Sequence, residues 1–389
     1  MTPRADTPLA LYIHWPFCRA KCPYCDFNSH VSQDIDHARF ATAYKNEMAY
    51  MADRFGNRRK IVSVFFGGGT PSLMPPALVA EIIAAADRYF GLANDVEITA
   101  EANPTSSESA VFEGFSAAGV NRISLGVQSF SDAGLAFLGR EHSVDDARAA
   151  IDAARRCFAR VSIDLIYARR DQTSADWESE LRKGIEIGLA HMSLYQLTIE
   201  RGTVFHTRSR RGEKLVPPDD LAAEMYEITN GVMADAGLPA YEVSNHAAAG
   251  EACRHNLVYW RSQDWIGIGP GAHGRLTVPA GRLGVATRRN PASWLQSVEA
   301  DGHAIETETW DSWDEAIAES LMMGMRLTAG VPIRAMELRF GPRDTWLNRD
   351  AVAKFINAGL LETGDGHLRT SLSGRLLLDG ILAELLRVA

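Results

Sequence analysis

The chain has 389 residues, of which 46% are hydrophobic and 23% charged, a composition typical of globular proteins. Its formal net charge of −9 argues against non-specific nucleic-acid binding, which depends on cationic surface, so we expect no nucleic-acid partner. No run of about 18 apolar residues predicts a membrane-spanning helix, and residues 1–6 lack the apolar core of a signal peptide, so we expect a cytoplasmic protein. The length predicts one large and one smaller domain.

The first predicted element is an apolar strand, residues 9–15, which leads into a loop containing three closely spaced cysteines. Cys18, Cys22 and Cys25 bring three sulfur atoms into one small volume. Three neighbouring thiolates repel one another unless a cation neutralises them, so the spacing predicts a metal site. An iron-sulfur cluster with three protein ligands keeps one iron free to bind a further ligand, as catalytic zinc keeps one position open.

Two other roles of these cysteines can be weighed by counting ligands. A structural zinc ion normally has four ligands, often in paired Cys-x-x-Cys knuckles, and no second knuckle follows here. Zinc stays an alternative with His14 or His30 as the fourth ligand. A disulfide framework is disfavoured because the remaining cysteines, Cys157 and Cys253, are far apart in the sequence and nothing marks the protein as secreted.

Short apolar runs then alternate with segments of helical spacing up to about residue 200. Such alternation predicts parallel strands joined by right-handed helical crossovers, hence an α/β sheet or barrel. We count about six strand–helix units, fewer than the eight of a closed barrel. The predicted strands are 61–66, 96–100, 122–127, 161–167 and 191–197, and the predicted helices are 36–55, 107–118 and 175–188.

Polar residues or glycines lie at or near the carboxyl ends of four predicted strands: Gly68, Glu101, Gln128 and Asp164. Ligand sites on parallel sheets collect at these strand ends. Each residue alone would be a cap or turn residue, but four such strand ends together favour a ligand site. The glycine run at 67–71 lacks the lysine of a P-loop and the spacing of a dinucleotide fingerprint, so we interpret it as a place where the backbone approaches a ligand closely.

The last third of the chain contains a predicted helix at 218–236 and, beyond it, two segments rich in aromatic and histidine residues, 253–260 and 265–274, which we interpret as loops. The carboxyl-terminal part has a helix–hairpin–helix order like that of a winged helix, without a basic recognition face. The Asp365-Gly366 pair suits a type I′ turn at the hairpin tip. These elements are helices 313–327, 349–358 and 373–386 and hairpin 360–370. The predicted regions are 1–240, 241–305, which consists of connecting loops, and 306–389.

Seven motifs occur in the order found in one known family, and together they span nearly the whole chain. The spacing Cys-x-x-x-Cys-x-x-Cys resembles that of radical S-adenosylmethionine (SAM) enzymes, and the full set resembles the heme-chaperone branch of the oxygen-independent coproporphyrinogen III oxidase family. The resemblance implies a partial (β/α)6, TIM-like barrel with a smaller α+β, winged-helix-like carboxyl-terminal domain. The motifs are Tyr12-Ile-His-Trp-Pro-Phe-Cys18, Gly67-Gly-Gly-Thr-Pro71, Glu101-Ala-Asn-Pro104, Arg122-Ile-Ser-Leu-Gly-Val-Gln128-Ser-Phe130, Gly139-Arg-Glu-His142, Ile163-Asp-Leu-Ile-Tyr167 and Cys253-Arg-His-Asn-Leu-Val-Tyr-Trp260.

The resemblance also implies cofactors and the residues that bind them. Three cysteines of this family, here Cys18, Cys22 and Cys25, hold a 4Fe-4S cluster whose fourth iron is chelated by SAM, and electron transfer from the cluster would cleave SAM to a 5′-deoxyadenosyl radical. Arg140 offers a fork for a carboxylate, and the acidic and amide side chains accept hydrogen bonds from the ribose or the ammonium group. The residues that match the SAM site of the family are Tyr12, Tyr24, Gly68, Gly69, Thr70, Glu101, Gln128, Arg140 and Asp164.

Two positions separate the branches of this family. The enzymes that decarboxylate coproporphyrinogen III carry a further cysteine two residues after the third cluster ligand, where this chain has Phe27. His255 begins the His-Asn-x-x-Tyr-Trp motif that marks the heme chaperones, and imidazole is a good axial ligand for heme iron. The other interpretation of His255 is a hydrogen-bonded core residue. One stretch departs from the family pattern: Ala168-Arg169-Arg170 stands where relatives often have Gly-Leu-Pro.

The chaperone interpretation implies heme as bound cargo and apo-hemoproteins, those of the respiratory chain included, as recipients. Through such a recipient we expect peripheral association with a membrane, and a homodimer is a further expectation. The alternative function is that of an oxygen-independent coproporphyrinogen III oxidase (dehydrogenase) in porphyrin biosynthesis.

Overall fold

A computed structural model of the chain describes residues 7–32, 34–55, 59–278 and 281–386. Residues 1–6, in which we expect no signal peptide, lie outside the described part of the chain. Among the helices of the described residues, none combines the length and apolar character that crossing a membrane requires.

The described residues form strands and helices that are numbered here in chain order. The strands are β1 (Leu9–Trp15), β2 (Phe17–Cys18), β3 (His30–Val31), β4 (Ile61–Gly68), β5 (Leu92–Ala102), β6 (Arg122–Gln128), β7 (Arg160–Tyr167), β8 (His191–Gln196), β9 (Asn245–Ala247), β10 (Asp264–Ile268), β11 (His273–Val278), β12 (Gly281–Thr287), β13 (Ile305–Asp311), β14 (Val331–Pro332), β15 (Leu361–Gly364) and β16 (His367–Thr370). The helices are α1 (His37–Phe55), α2 (Pro76–Phe90), α3 (Ser106–Ser109), α4 (Phe112–Ala117), α5 (Asp132–Phe137), α6 (Val144–Cys157), α7 (Ser174–Glu186), α8 (Val204–Arg210), α9 (Asp219–Asp235), α10 (Arg254–Trp260), α11 (Pro291–Asp301), α12 (Trp313–Gly324), α13 (Ile333–Phe340), α14 (Arg349–Asn357), α15 (Leu372–Leu376) and α16 (Leu378–Leu385).

Eleven of the described strands form one sheet in the order β13-β12-β11-β10-β1-β4-β5-β6-β7-β8-β9. Its centre, from β10 to β8, is parallel, and antiparallel strands flank it on both sides. Because β13 and β9 do not pair with each other within the described residues, this sheet is open. The predicted α/β class and partial barrel are confirmed.

The burial of β1 explains why this strand lies in the middle of the sheet. All its residues except Tyr12 are buried, as expected for a parallel strand that is covered on both faces. Helix α1 packs against it, and the hydroxyl of Tyr44 donates a hydrogen bond of 2.6 Å to the carbonyl oxygen of His14. Further along the sheet, capping boxes at Ser143 and Thr173 fix where α6 and α7 begin. The carboxyl ends of the parallel strands consequently meet at one rim.

Three secondary-structure predictions are wrong. The predicted helix 373–386 is two helices, α15 and α16. The predicted helix 107–118 is two short helices, α3 and α4. The region 241–305, predicted as connecting loops, contains regular structure. Its segments 253–260 and 265–274 contain helix α10 and strands β10 and β11, and strands β9 and β12 and helix α11 lie in the rest of it. Strand β10 pairs in parallel with β1, from Leu9 opposite Asp264 onward, so a distant strand supplies the hydrogen-bond partners that its own sequence could not reveal.

The carboxyl-terminal elements agree with the predicted helix–hairpin–helix order. Helix α12 is followed by a three-stranded sheet in the order β14-β16-β15, whose hairpin is closed at Asp365 and Gly366. Both of these residues have positive φ, 50° and 76°, as a type I′ turn requires. A hydrophobic cluster separate from that of the main sheet fills this part, with Trp346 and Leu368 among its buried residues. The boundaries at 240 and 305 stay predictions.

Candidate functional site

A cavity of about 590 Å³ opens at the carboxyl ends of the parallel strands. The structure brings to its lining eleven of the predicted site residues, and Phe27 lines it as well. The eleven are Cys18, Cys22, Tyr24, Cys25, Gly68, Gly69, Thr70, Glu101, Gln128, Arg140 and Asp164. Their roles stay predictions, but their convergence follows from the rule that ligand sites on parallel sheets collect at strand ends.

The three cysteine sulfurs at this cavity share a partly desolvated environment. Burial raises the pKa of Cys18 and of Cys25, and the neighbouring cysteine charges raise both further. Two of the sulfurs accept hydrogen bonds: Cys18 Sγ from Thr70 Oγ1 at 3.4 Å, and Cys22 Sγ from Arg140 Nη1 at 3.2 Å. Three thiolates here would repel one another, and a bound cationic cluster would remove that cost, so the donor set fits the predicted cluster.

The geometry also bears on the zinc alternative. Within the described residues, no group of three histidine, cysteine, aspartate or glutamate side chains is placed to hold a single metal ion. A structural zinc ion needs its ligands around one point, whereas each cysteine of a cluster bonds a different iron. His14, one of the two candidate fourth zinc ligands, uses both ring nitrogens in hydrogen bonds, 3.0 Å to Tyr12 Oη and 2.9 Å to the carbonyl oxygen of Asn28.

The glycine run packs against the cysteine loop. A Cβ atom at Gly68, which has φ +112°, would lie 2.5 Å from the ring of His14, and a Cβ at Gly69 would lie 2.6 Å from the carbonyl oxygen of Phe17. The Gly69 and Thr70 amides donate to the carbonyl oxygens of Trp15 and Phe17 at 2.7 and 2.8 Å. The glycines are therefore required by close approach to the chain itself, and the predicted approach to a ligand is not needed to explain them.

Two partly buried carboxyl groups, Glu101 and Asp164, face the cavity. Burial, and next the charge of Asp164, raise the pKa of Glu101 to about 8. Burial also raises the pKa of Asp164, whose carboxylate accepts a hydrogen bond of 3.2 Å from Ser124 Oγ. The backbone amide of Gly68 donates to Glu101 at 3.2 Å. Two carboxyls held this way are suited to a ligand with a positive charge and hydroxyl donors.

Arg140 and Asn103 form the opposite wall. The Arg140 guanidinium donates to Cys22 Sγ, to Asn103 Oδ1 and to the carbonyl oxygen of Gly126. Asn103 is not among the predicted site residues, although it stands in the Glu-Ala-Asn-Pro motif. Its amide nitrogen Nδ2 donates to Thr70 Oγ1 at 3.2 Å, and its backbone amide donates to the buried Glu108 at 2.7 Å. Glu108 thus ties this wall to the glycine run through Ser72.

Two of the predicted ligand-binding residues lie away from the large cavity. Tyr12 does not line it but lines two smaller cavities next to it. His255 is buried in α10, and both of its ring nitrogens are used: Nδ1 lies 3.0 Å from Ser63 Oγ and Nε2 lies 2.8 Å from Tyr259 Oη. Burial lowers the pKa of His255 to about 3. This geometry is that of the hydrogen-bonded core histidine and does not support the predicted heme ligand, because neither nitrogen is available to iron.

The stretch that departs from the family pattern has a defined structure. Ala168 takes the left-handed conformation, with φ 57°. Arg169 is buried and its Nη2 lies 2.5 Å from a carboxylate oxygen of Glu180 on α7. The same carboxylate accepts a hydrogen bond of 2.6 Å from the backbone amide of Phe130, so Glu180 joins the loop after β7 to the loop after Gln128. No local pattern of residues predicts this buried ion pair.

Comparison with known proteins identifies the family to which the chain is similar. The model of the Radical SAM superfamily matches residues 12–183, and that of the HemN C-terminal domain matches residues 312–377. The Bos taurus protein named radical S-adenosyl methionine domain-containing protein 1, mitochondrial, is 38% identical over 97% of this chain and 87% of its own length. Heme chaperone HemW from Synechocystis sp. is 39% identical over 83% of this chain and 79% of its own.

A solved structure adds evidence on the fold. Coproporphyrinogen III oxidase (HemN) from Escherichia coli superposes with a TM-score of 0.81 at 21% identity, over 99% of this chain and 91% of that one. The open parallel sheet, the strand-end cavity and the superfamily match define a radical SAM protein. Within that class, the extent and identity of the match to heme chaperone HemW show that the chain belongs to the HemW family.

Proposed function

We propose that this protein binds a 4Fe-4S cluster and SAM at the large cavity and carries heme to apo-hemoproteins. The proposal that the protein binds the cluster and SAM rests on one observation. Five side chains line the same cavity: Cys18, Cys22, Cys25, Glu101 and Asp164. The heme half is supported by membership of a family whose members are named heme chaperones. When bound, the cluster would supply one electron and an open iron position. The protein would supply thiolate ligands, partly buried carboxyls and a guanidinium around the ligand.

The cofactor half is tested by anaerobic reconstitution followed by iron, sulfide and SAM-binding measurements. We expect about four irons and four sulfides per chain, lost in the triple variant Cys18→Ala/Cys22→Ala/Cys25→Ala. Cys157→Ala is the matched control, because Cys157 does not line the cavity and its loss should leave the iron content unchanged. Iron that persists in the triple variant would overturn the cluster assignment.

The heme half is tested by titrating the reconstituted protein with ferric heme, with and without SAM. We expect a Soret band of bound heme and transfer of that heme to an apo-hemoprotein such as apomyoglobin faster than free exchange. The recipients that we propose in the cell are apo-hemoproteins of the respiratory chain, approached at a membrane surface, and we propose a homodimer as the assembled form. If no Soret band appears at any SAM concentration, the chaperone function is wrong.

The alternative function, oxidative decarboxylation of coproporphyrinogen III, is tested in the same preparation. Phe27 argues against it, because that side chain, 56% exposed, lines the cavity where the oxidases carry a further cysteine. An anaerobic assay with SAM and coproporphyrinogen III should therefore give no protoporphyrinogen. Product formation at a rate above a Cys18→Ala control would establish the oxidase instead.

A further inference from the structure

A second cavity, of about 460 Å³, lies beside the large one and shares Phe27, Gly68 and Glu101 with it. Its other side is formed by the β10–β11 segment and the end of α10, which contribute Trp265, His273 and Tyr259 among other residues. The volume lies within the roughly 300–1,000 Å³ typical of small-molecule sites. One side of this cavity comes from the segments that the sequence pattern predicts as loops, and the predicted cluster and SAM residues do not account for that side.

His273 is the chemically distinctive residue of this cavity. Its side chain is exposed, and in the described part of the chain neither of its ring nitrogens has a hydrogen-bond partner. His14 also lines the cavity, but both of its nitrogens are hydrogen-bonded. The backbone of His273 is held in place, since its carbonyl oxygen accepts a hydrogen bond of 3.0 Å from Trp265 Nε1.

The charge state of His273 suits metal ligation. Partial desolvation by the cavity walls, and next the positive charges of Arg275 and Arg289, lower the pKa of His273. A lowered pKa favours the neutral imidazole, which is the form that binds a metal through a ring nitrogen lone pair. Neutral imidazole is also the proximal ligand of heme iron in globins and peroxidases.

The walls of the cavity suit a large planar apolar ligand with acidic groups. Trp265 and Tyr259 pack edge to face, with ring centroids 4.6 Å apart, and Phe27 adds a third aromatic surface. The Arg289 guanidinium is exposed and has no acidic partner among the described residues. Its neighbour Arg288 lies 3.9 Å from Glu306, so its charge is already paired. An unpaired guanidinium beside aromatic walls is complementary to a macrocycle that carries carboxylates.

We propose that heme binds in this second cavity, with a ring nitrogen of His273 as the axial ligand to iron and Arg289 paired with a heme propionate. This inference rests on the proposed function, since it assigns the place where the cargo is held. It moves the heme ligand from the motif residue His255, which is enclosed, to a histidine that is open to a ligand. Because Phe27, Gly68 and Glu101 line both cavities, the cargo would lie next to SAM.

The test is ferric heme titration of the reconstituted full-length protein, with electron paramagnetic resonance or resonance Raman spectra to identify the axial ligand. In His273→Ala we expect heme affinity to fall by about tenfold or more and the nitrogen-ligand signature to disappear. Added imidazole should restore that signature in the variant. His206→Ala is the control, because His206 lines neither cavity and its loss should change nothing.

Arg289→Glu tests the second contact independently. We expect it to weaken binding of heme but not of heme dimethyl ester, whose propionates are uncharged, whereas Arg288→Glu should leave both unchanged. If the native protein binds heme and His273→Ala keeps the same affinity and spectrum, the proposed site is wrong while the chaperone function stands. If the native protein binds no heme, both are wrong.

Discussion

The buried ion pair between Arg169 and Glu180 provides the sharpest test of how the loops around the candidate site are held. Both side chains are almost fully buried, and Arg169 also donates a hydrogen bond of 2.9 Å to the carbonyl oxygen of Ile166. The change Arg169→Leu introduces the residue that relatives often have here. It leaves the Glu180 carboxylate buried without its cation, although the Phe130 amide and Gln172 still donate to it.

The expected cost follows from the burial of that charge. Removing one partner of a buried ion pair typically destabilises a protein by about 3–5 kcal/mol. Because three donors to the Glu180 carboxylate remain, namely Ser129 Oγ, the Phe130 amide and Gln172 Nε2, we expect the lower end, about 3 kcal/mol. The matched control is Arg170→Leu, since Arg170 is half-exposed and lies 2.8 Å from Glu213 at the surface. A surface pair of this kind contributes about 0.2–1 kcal/mol.

Urea unfolding of the ligand-free protein, followed by far-ultraviolet circular dichroism, measures both variants. The double variant Arg169→Leu/Glu180→Gln completes the cycle, because glutamine keeps an acceptor for Phe130 and removes the charge. We expect the double variant to be less destabilised than the sum of the single variants, with a coupling of about 0.5–3 kcal/mol. If Arg169→Leu costs no more than Arg170→Leu, the ion pair does not stabilise these loops and the reasoning is refuted.

Three further predictions concern other buried or strained positions. Burial and next the charge of Asp164 raise the pKa of Glu101 to about 8, so the folded ligand-free protein loses stability as the pH rises from about 4.5 to 8. In Glu101→Gln the difference between the free energies of unfolding at pH 5 and pH 8, measured with urea, should be smaller than in the native protein. Glu47 accepts hydrogen bonds from two backbone amides and an indole, so Glu47→Gln should cost about 1–3 kcal/mol in the same assay at pH 8. Gly366→Ala, at φ 76°, should destabilise the hairpin by about 1 kcal/mol, whereas Gly380→Ala in α16, where a Cβ would meet nothing, should stabilise the protein by about 0.8–1 kcal/mol.

Local sequence pattern is sufficient to predict the parallel strands β1 and β4 to β8 and the rim at their carboxyl ends. The runs that form β4, β6 and β7 are apolar and bounded by glycine or polar residues, and the positions that follow them fall at one edge by the geometry of parallel sheets. For that reason Gly68, Gln128 and Asp164 can be placed together at one site from the amino-acid sequence alone, although the identity of their ligand comes from family resemblance.

Long-range partners cannot be predicted in the same way. Strand β10 depends on pairing with β1, far away in the chain, and its five residues, Asp264 to Ile268, are too short a run to be recognised as a strand without that partner. The buried carboxyl group of Glu108 accepts hydrogen bonds from Ser72 and from the Asn103 amide, and neither contact has a signature in local spacing. Similarly, Ala168 takes a left-handed conformation that its residue type disfavours, so only the surrounding network explains it.

The first residue of the His-Asn-x-x-Tyr-Trp motif supports another residue of the same motif. His255 and Tyr259 are one helical turn apart on α10, which places the imidazole against the phenol hydroxyl. With its hydroxyl hydrogen-bonded to His255, Tyr259 packs its ring against Trp265 and lines the second cavity. Replacing His255 would then release Tyr259 and disturb the cavity, so loss of heme from such a variant could not by itself identify the ligand. Imidazole distinguishes the two cases: it should restore axial ligation where His273 has been removed, and should fail where the wall has collapsed.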